Sequence, residues 1–274
     1  MAKKVKVIVL RTAGTNCDRE TQFAFEEMGA DVDLVHMSQL LGREKKLEDF
    51  HILVIPGGFT YGDDIAAGKI MANELRIKLG NDIRQFIQNG KLIIGICNGF
   101  QILTKAGILP GVGVQNFEPR PDNSIGFSQT ATLMTNDSGK FEDRWIYLKP
   151  NGRCVWSEGI KEIISLPVAH GEGKFVPKDD TVLKKLKENG QIIFRYCNKM
   201  GDAPVYPENP NGSIEDIAAI ADQAGRVFGL MPHPERHFLA TQHPHWTRLK
   251  KKGKFGDGAK IFQNGVNYVK EKLF

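Results

Sequence analysis

Apolar residues fall into short dense runs that alternate with stretches where they recur every three or four positions. Residues 5–10, 32–37 and 51–55 are runs of the first kind and predict strands, the third halted by Pro56-Gly57-Gly58. Between the first two, a helical spacing runs through Phe23, Phe25 and Met28 to Gly29, with Thr15 or Asn16 placed to cap it. A long helical pattern over 63–89 carries Ile65, Ile70, Met71, Leu75, Leu79, Ile83 and Phe86 at its apolar positions, with a break expected near Gly80. Residues 91–107 then read as an apolar strand that turns at Cys97 into a short helix ending near Gly107. Strand, helix and strand in repetition predict an α/β protein with a parallel sheet covered on both faces.

After Pro110-Gly111 the pattern shortens. Residues 128–134, 145–148, 153–156 and 163–169 are β-like runs that predict an antiparallel insertion or sheet extension. A helix over 178–189 and a strand over 192–196 follow, then a turn-rich loop from Tyr206 to Ser213. The runs at 217–221 and 227–231 predict a hairpin, and 258–273 a final helix. No repeat, low-complexity segment or compositional break divides the chain, so a single domain over 1–274 is expected.

Composition narrows the class without specifying it. The chain has 274 residues, 41% of them hydrophobic and 25% charged, and no apolar run approaches a membrane span of about 18 residues. Met-Ala-Lys-Lys leads straight into a strand, so a cytoplasmic protein without a membrane partner is expected. The cysteines at 17, 97, 154 and 197 form no CxxC pair and read as reduced thiols. The net charge of +5 is modest. Its clearest cluster, Arg248, Lys250, Lys251, Lys252 and Lys254, lacks interleaved aromatic residues and reads as a solvated loop, not a nucleic-acid site. The stretch from Gly62 to Ile70 resembles a phosphate-binding loop, but it has one residue too many between its glycines and Ile70 where Ser or Thr is needed. Nucleotide chemistry is therefore expected on a partner.

The chemistry centres on Cys97. Gly95 and Gly99 lie two residues to either side, the spacing of a nucleophile elbow, where small neighbours let the backbone turn tightly and push one side chain outward. A helix that starts just after the sulfur favours the thiolate, and the Asn98 N–H becomes a candidate oxyanion donor. On composition alone, a buried structural cysteine in a glycine-containing turn stands beside this reading. His233 and Glu235 are the candidate base and orienter: two residues apart in an extended segment, they would point the same way. A loop histidine satisfied by solvent is the alternative. Gly57 and Gly58 offer further N–H groups to an oxyanion, or form an ordinary tight turn. The segment from Ala169 to Gly173, with His170 and Glu172, is either a functional loop or a plain β-turn. Zinc is not expected from His233, His237, His243 and His245, because Pro234 and Pro244 disfavour helix there and the HExxH order is absent.

Six motifs share one resemblance: Gly14-Thr-Asn-Cys-Asp-Arg-Glu20, Pro56-Gly-Gly-Phe-Thr-Tyr-Gly-Asp63, Gly95-Ile-Cys-Asn-Gly-Phe-Gln-Ile-Leu103, Ala169-His-Gly-Glu-Gly173, Asn209-Pro-Asn-Gly-Ser213 and Met231-Pro-His-Pro-Glu-Arg236. Together they resemble the glutamine amidotransferase subunits of phosphoribosylformylglycinamidine synthase, within the class I (triad) glutamine amidotransferases. The resemblance runs from residue 5 to about 237. It implies a flavodoxin-like, mostly parallel sheet flanked by helices, with an antiparallel β extension. It implies Cys97 as nucleophile, His233 as general acid and base and Glu235 as its orienter, with Gln101, Gly58 and the His170 segment holding L-glutamine. The oxyanion would rest on N–H groups near Gly58 and Asn98. It also implies an ATP-dependent synthetase subunit as partner, carrying ATP and Mg, often with a small third subunit, and no cofactor in this chain. Two departures, Arg11-Thr-Ala and Asp64-Ile65-Ala66, bear on docking to the synthetase; residues 112–160 and the basic tail match less sharply and yield no functional residues. A triad amidotransferase or Cys hydrolase serving another acceptor, and a catalytically silent scaffold, are the competing readings.

Overall fold

A computed structural model describes residues 3–63, 66–111, 117–119, 125–248 and 253–274. In chain order the first half runs β1 (Lys6–Arg11), α1 (Asp18–Glu27), β2 (Asp31–His36), α2 (Met37–Leu41), β3 (Ile52–Ile55), α3 (Lys69–Ile77), α4 (Gly80–Gln88), β4 (Leu92–Ile96) and α5 (Asn98–Lys105). The second half runs β5 (Phe117–Pro119), β6 (Ile125–Phe127), β7 (Ala131–Thr135), β8 (Glu142–Pro150), β9 (Ile164–His170), β10 (Glu172–Pro177), α6 (Asp180–Glu188), β11 (Ile192–Cys197), β12 (Ile217–Ala221), β13 (Val227–Leu230) and α7 (Ala259–Lys272).

Nine strands form one sheet in the order β2-β1-β3-β4-β13-β12-β11-β8-β9. Its first four pairings are parallel, and from β13 onward the pairings are antiparallel, so the expected extension continues the parallel sheet edge to edge. The expected hairpin of 217–221 and 227–231 is the β12–β13 pair and forms the junction. Strands β3 and β4 are buried at every position, which is why they read as unbroken apolar runs: helices cover both faces. Successive residues of β13 show the two faces directly. Phe228 stacks on Trp156, under α7, while a side chain on Gly229 would strike Phe100 of α5.

Several local expectations are corrected. Neither Thr15 nor Asn16 caps α1; Cys17 holds that position without a side-chain cap, while the Thr15 hydroxyl accepts the Thr12 N–H at 3.1 Å. Residues 153–156 do not form a strand, because Trp156 is fully buried and its Nε1 donates to Arg226 O at 3.0 Å, which fixes Val155–Ser157 as a single helical turn. The pattern over 63–89 resolves into α3 and α4, and Asp64 and Ile65 of that stretch lie outside the described residues, as do Lys250, Lys251 and Lys252 of the basic cluster. Strand β10, absent from the expected elements, pairs with β7 in a separate two-stranded sheet, and the glycines at 171 and 173 obscure its alternation.

Three neighbouring parallel strands, β3, β4 and β13, end together, and Gly57, Cys97 and His233 follow their last residues at one sheet edge. The closeness of α5 to this edge rests on two glycines. A Cβ on Gly99 would sit 1.8 Å from Ile55 O, and one on Gly95 would sit 2.6 Å from Gly99 O. Gly80, by contrast, has no atom within 4 Å of the corresponding position and sits in the first turn of α4. Gly99→Ala is therefore expected to destabilise the protein by about 3 kcal/mol or more, and Gly80→Ala to stabilise it by up to about 1 kcal/mol. Urea denaturation of the two variants checks both signs.

Candidate active site

Cys97 occupies the corner between β4 and α5 with φ 51° and ψ −105°, a conformation few non-glycine residues adopt. The corner is pinned from both sides. The Cys97 N–H donates to Leu230 O at 2.8 Å, and the Cys97 carbonyl accepts from the N–H groups of Phe100 and Gln101 at 2.9 and 3.1 Å. Holding a residue there costs of order 1–3 kcal/mol, which is met by the packing of α5. Gly58, at φ 145°, and Gly57 form the facing turn. A Cβ on Gly57 would lie 2.8 Å from His233 Cε1, 3.0 Å from Cys17 Sγ and 3.5 Å from Cys97 Cβ, so these three side chains converge on one point.

His233 and Glu235 do pair, though not by extended alternation. Pro234 opens a short helical turn, Pro234–His237, with His233 as its cap, and the turn swings the carboxylate back under the ring. The His233 Nδ1–H donates to Glu235 Oε1 at 2.5 Å, with both side chains buried. Among the described residues, His233 Nε2 and Glu235 Oε2 have no hydrogen-bond partner. Burial alone would lower the pKa of the ring, but the Glu235 carboxylate and the Cys97 sulfur outweigh it and raise the pKa well above 6.5.

Cys17 and Arg236 complete this side and were not singled out from sequence, although both stand inside quoted motifs. Arg236 Nη2 donates to Cys17 Sγ at 3.1 Å and its Nε to Glu20 Oε1 at 2.9 Å, while Cys17 Sγ lies 3.9 Å from His233 Nδ1. Burial pushes the Cys17 thiol up to about 12. Cys17, His233 and Glu235 bring ligand-type atoms within 4.8 Å of one another. A cation there would face the guanidinium of Arg236 and displace the His233 proton from Glu235, so the cluster is poorly suited to metal.

Of the other expected residues, Gly58, Gln101 and His170 line the space beyond Cys97, and Asn98 is buried behind Gln101. Asn98 accepts from the Thr60 hydroxyl at 2.7 Å and donates to Gln101 Oε1 at 2.8 Å; Gln101 Nε2 donates to the Glu172 carbonyl at 2.5 Å. Gln101 thus ties α5 to β10. Among the described residues, no backbone acceptor takes the N–H groups of Gly58 and Asn98. His170 reaches the same wall, but its Nδ1 faces Asn136 Oδ1 at 3.1 Å and its Nε2 faces Asn211 Nδ2 at 3.5 Å, so both ring nitrogens are engaged. Two cavities open on Cys97. One, of about 250 Å³, reaches Cys17, His233 and Arg236; the other, of about 170 Å³, reaches Asp63, Gln101 and Glu172. Phe59 and Phe141, both about half exposed and 6.3 Å apart, border both.

A thiol at a sheet edge and a buried imidazole–carboxylate pair, with a cavity that reaches both Cys97 and His233, define an α/β protein suited to thiol-based acyl transfer. Residues 4–269 match the model of the CobB/CobQ-like glutamine amidotransferase domain. The phosphoribosylformylglycinamidine synthase subunit PurQ of Dehalococcoides mccartyi is 48% identical, with 98% of this chain and 99% of that relative covered. The PurQ of Archaeoglobus fulgidus is 40% identical, with 99% of both covered. A chain in the structure of PurLQS from Thermotoga maritima superposes with a TM-score of 0.71 at 32% identity, covering 97% of this chain and 100% of that one. A glutamine amidotransferase from the same organism, 15% identical with a TM-score of 0.52, shares the fold. The chain belongs to the glutamine amidotransferase family and, within it, to the PurQ subunits.

The buried His170 generates a stability prediction. Burial, with the charge of His233, lowers its pKa from 6.5 to about 3. The unfolded chain therefore binds a proton that the folded chain refuses between these values, and stability falls as pH drops through that window. The loss from this residue is up to about 1.4 kcal/mol per pH unit. Urea titrations of the wild type and His170→Gln between pH 7 and about 4 should show a shallower slope in the variant.

Proposed function

We propose that the chain is the glutaminase subunit of phosphoribosylformylglycinamidine synthase, releasing ammonia from L-glutamine through a γ-glutamyl thioester on Cys97. The ammonia passes to an ATP-dependent synthetase subunit, which converts formylglycinamide ribonucleotide to formylglycinamidine ribonucleotide in purine biosynthesis. The observation that carries the reading is the buried His233–Glu235 pair set beside Cys97 where β4 and β13 end. PurQ relatives that match nearly the full length of the chain supply the acceptor.

In this mechanism His233 takes the thiol proton and the Cys97 sulfur attacks the side-chain amide carbon of glutamine. The oxyanion forms against the N–H groups of Gly58 and Asn98, which flank Cys97. Protonated His233, held by Glu235, gives its proton to the departing nitrogen, and the C–N bond breaks to leave ammonia and the thioester. Water then gives a proton to His233 and attacks the thioester carbonyl; glutamate leaves and the sulfur is restored. Gln101, held from behind by Asn98, lines the glutamine side, and Gly57 keeps the space between Cys97 and His233 clear.

The whole chain acts as one amidotransferase domain, since a single sheet carries strands from both halves. ATP and Mg belong to the synthetase partner, and the PurLQS relative supports a small third subunit. The four free cysteines fit the reducing cytoplasm.

Cys97→Ala should abolish glutamine-dependent synthesis by the assembled enzyme and leave ammonia-dependent synthesis intact. Glu235→Gln should lower glutamine-dependent kcat by about 10²–10⁴-fold, through loss of the ring's orientation and proton. Paired assays with glutamine and ammonium salts test both, and loss of both activities in Cys97→Ala would defeat the proposal. A glutamine-derived electrophile should label Cys97, and excess glutamine should prevent it.

A further inference from the structure

We propose that Thr60 is a positioning residue for the oxyanion, acting through the side chain of Asn98, and that the Tyr61–Glu74 contact holds the turn that carries it; this rests on the glutaminase reading above. The expected oxyanion donors, the N–H groups of Gly58 and Asn98, belong to separate segments of chain. Thr60 joins the two. It follows Gly58 by two residues, and both its N–H, at 3.2 Å, and its hydroxyl, at 2.7 Å, donate to Asn98 Oδ1. An N–H can only donate, so the atom facing it is the amide oxygen; the amide nitrogen of Asn98 is left to donate to Gln101 Oε1 at 2.8 Å and Asp63 Oδ1 at 3.3 Å. Both ends of a buried side chain are thereby fixed. The constraint matters because of where Asn98 sits. Its N–H belongs to the peptide that follows Cys97, and the strained corner at Cys97 would relax by rotating that peptide and carrying the N–H away.

The turn that delivers Thr60 is itself unfavourable in isolation. Tyr61, Gly62 and Asp63 follow one another at φ 55°, 72° and 54°, and the two that are not glycine cost about 1–2 kcal/mol each. Contacts on both sides hold the turn in place. The Phe59 N–H donates to Gly14 O at 2.9 Å and the Tyr61 N–H to Ala13 O at 2.8 Å, while Asp63 Oδ1 accepts the Gly68 N–H at 3.0 Å. The Tyr61 hydroxyl reaches α3, where it donates to Glu74 Oε2 at 2.8 Å. Burial and then the Glu74 carboxylate push the Tyr61 pKa up to about 12, so the hydroxyl keeps the proton that it donates. Among the described residues that line the two cavities open on Cys97, neither Thr60 nor Tyr61 is found. Their effect on the reaction therefore passes through Gly58 and Asn98, not through contact with glutamine.

The test compares L-glutamine with the γ-methyl ester of L-glutamate, which differs only in its leaving group, using the full chain assembled with its synthetase and small subunits. Rates are taken per Cys97 labelled by a glutamine-derived electrophile, so that loss of folded sites does not enter. Thr60→Val, which keeps the shape and removes the hydroxyl, should lower kcat about 10-fold on both substrates with KM little changed, and Thr60→Ser should recover most of that loss. Tyr61→Phe, which leaves Thr60 in place, should show the same pattern at about 3-fold. A loss confined to the amide would assign Thr60 to proton delivery by His233, and a rise in KM would assign it to glutamine binding; either overturns the proposal. So would a wild-type kcat in Thr60→Val, or a Thr60→Ser variant no better than Thr60→Val. Failure of the glutaminase reading has a different signature: the wild-type assembly would release no ammonia from L-glutamine, and both proposals would fall.

Discussion

The crossing of α5 over the ends of β3 and β4 sets the terms for everything at this sheet edge. With glycine at 95 and 99, the helix approaches the strands to backbone contact, and the residue between them is driven into a left-handed conformation. That conformation is unfavourable in isolation, by about 1–3 kcal/mol, and survives because the surrounding hydrogen bonds and apolar packing over-determine it. The apolar side of α5 includes Phe100, Ile102 and Leu103, all fully buried. Burying three such side chains contributes roughly 5–9 kcal/mol, enough to hold the strained corner. The strain and the core are therefore one arrangement: the packing that stabilises the fold also presents the sulfur.

The second constraint is electrostatic. His233 and Glu235 are both withdrawn from water, and such a pair recovers its desolvation cost only if its geometry is good. The 2.5 Å contact meets that condition. Two buried polar atoms, His233 Nε2 and Glu235 Oε2, nevertheless have no partner among the described residues. Leaving such atoms unpaired costs stability, and reacting groups commonly carry this cost because the missing partner arrives with the substrate. Arg236 bears on the same balance. It sits against Cys17 and Glu20 and helps offset the acidic side of a cluster that would otherwise crowd Glu235.

What could be read in the sequence follows the range of the forces involved. Strands β1, β3, β4 and β13 are legible because burial on both faces writes a continuous apolar run, and the elbow at Cys97 is legible because its glycines lie two residues away. Strand β10 is hidden by its glycines and by a pairing with β7 some forty residues earlier in the chain, which no local pattern records. Trp156 looks like part of a strand until its partners, Arg226 and Phe228, are brought beside it. At the site, the spacing of His233 and Glu235 makes them neighbours, but proline at 234 sets a helical turn where the spacing alone suggests extended chain. Cys17 and Arg236 are 219 positions apart and become partners only in the folded chain.

These observations bear on how changes in α5 should be interpreted. Cys97 heads the helix, Asn98 and Gln101 build its inner wall, and Lys105 closes on Glu172 from its last turn. Cys97 and these polar side chains therefore share one rigid element, and a substitution at any of these positions shifts the others through common hydrogen bonds. Their effects cannot be expected to add. Separating transition-state chemistry from substrate recognition requires comparing substrates that differ by one group, because comparing variants on a single substrate mixes the two. The same rigidity gives the helix its value: once α5 is fixed against β3 and β4, the distance from the sulfur to the charged wall is set by helical geometry and does not depend on loop conformation.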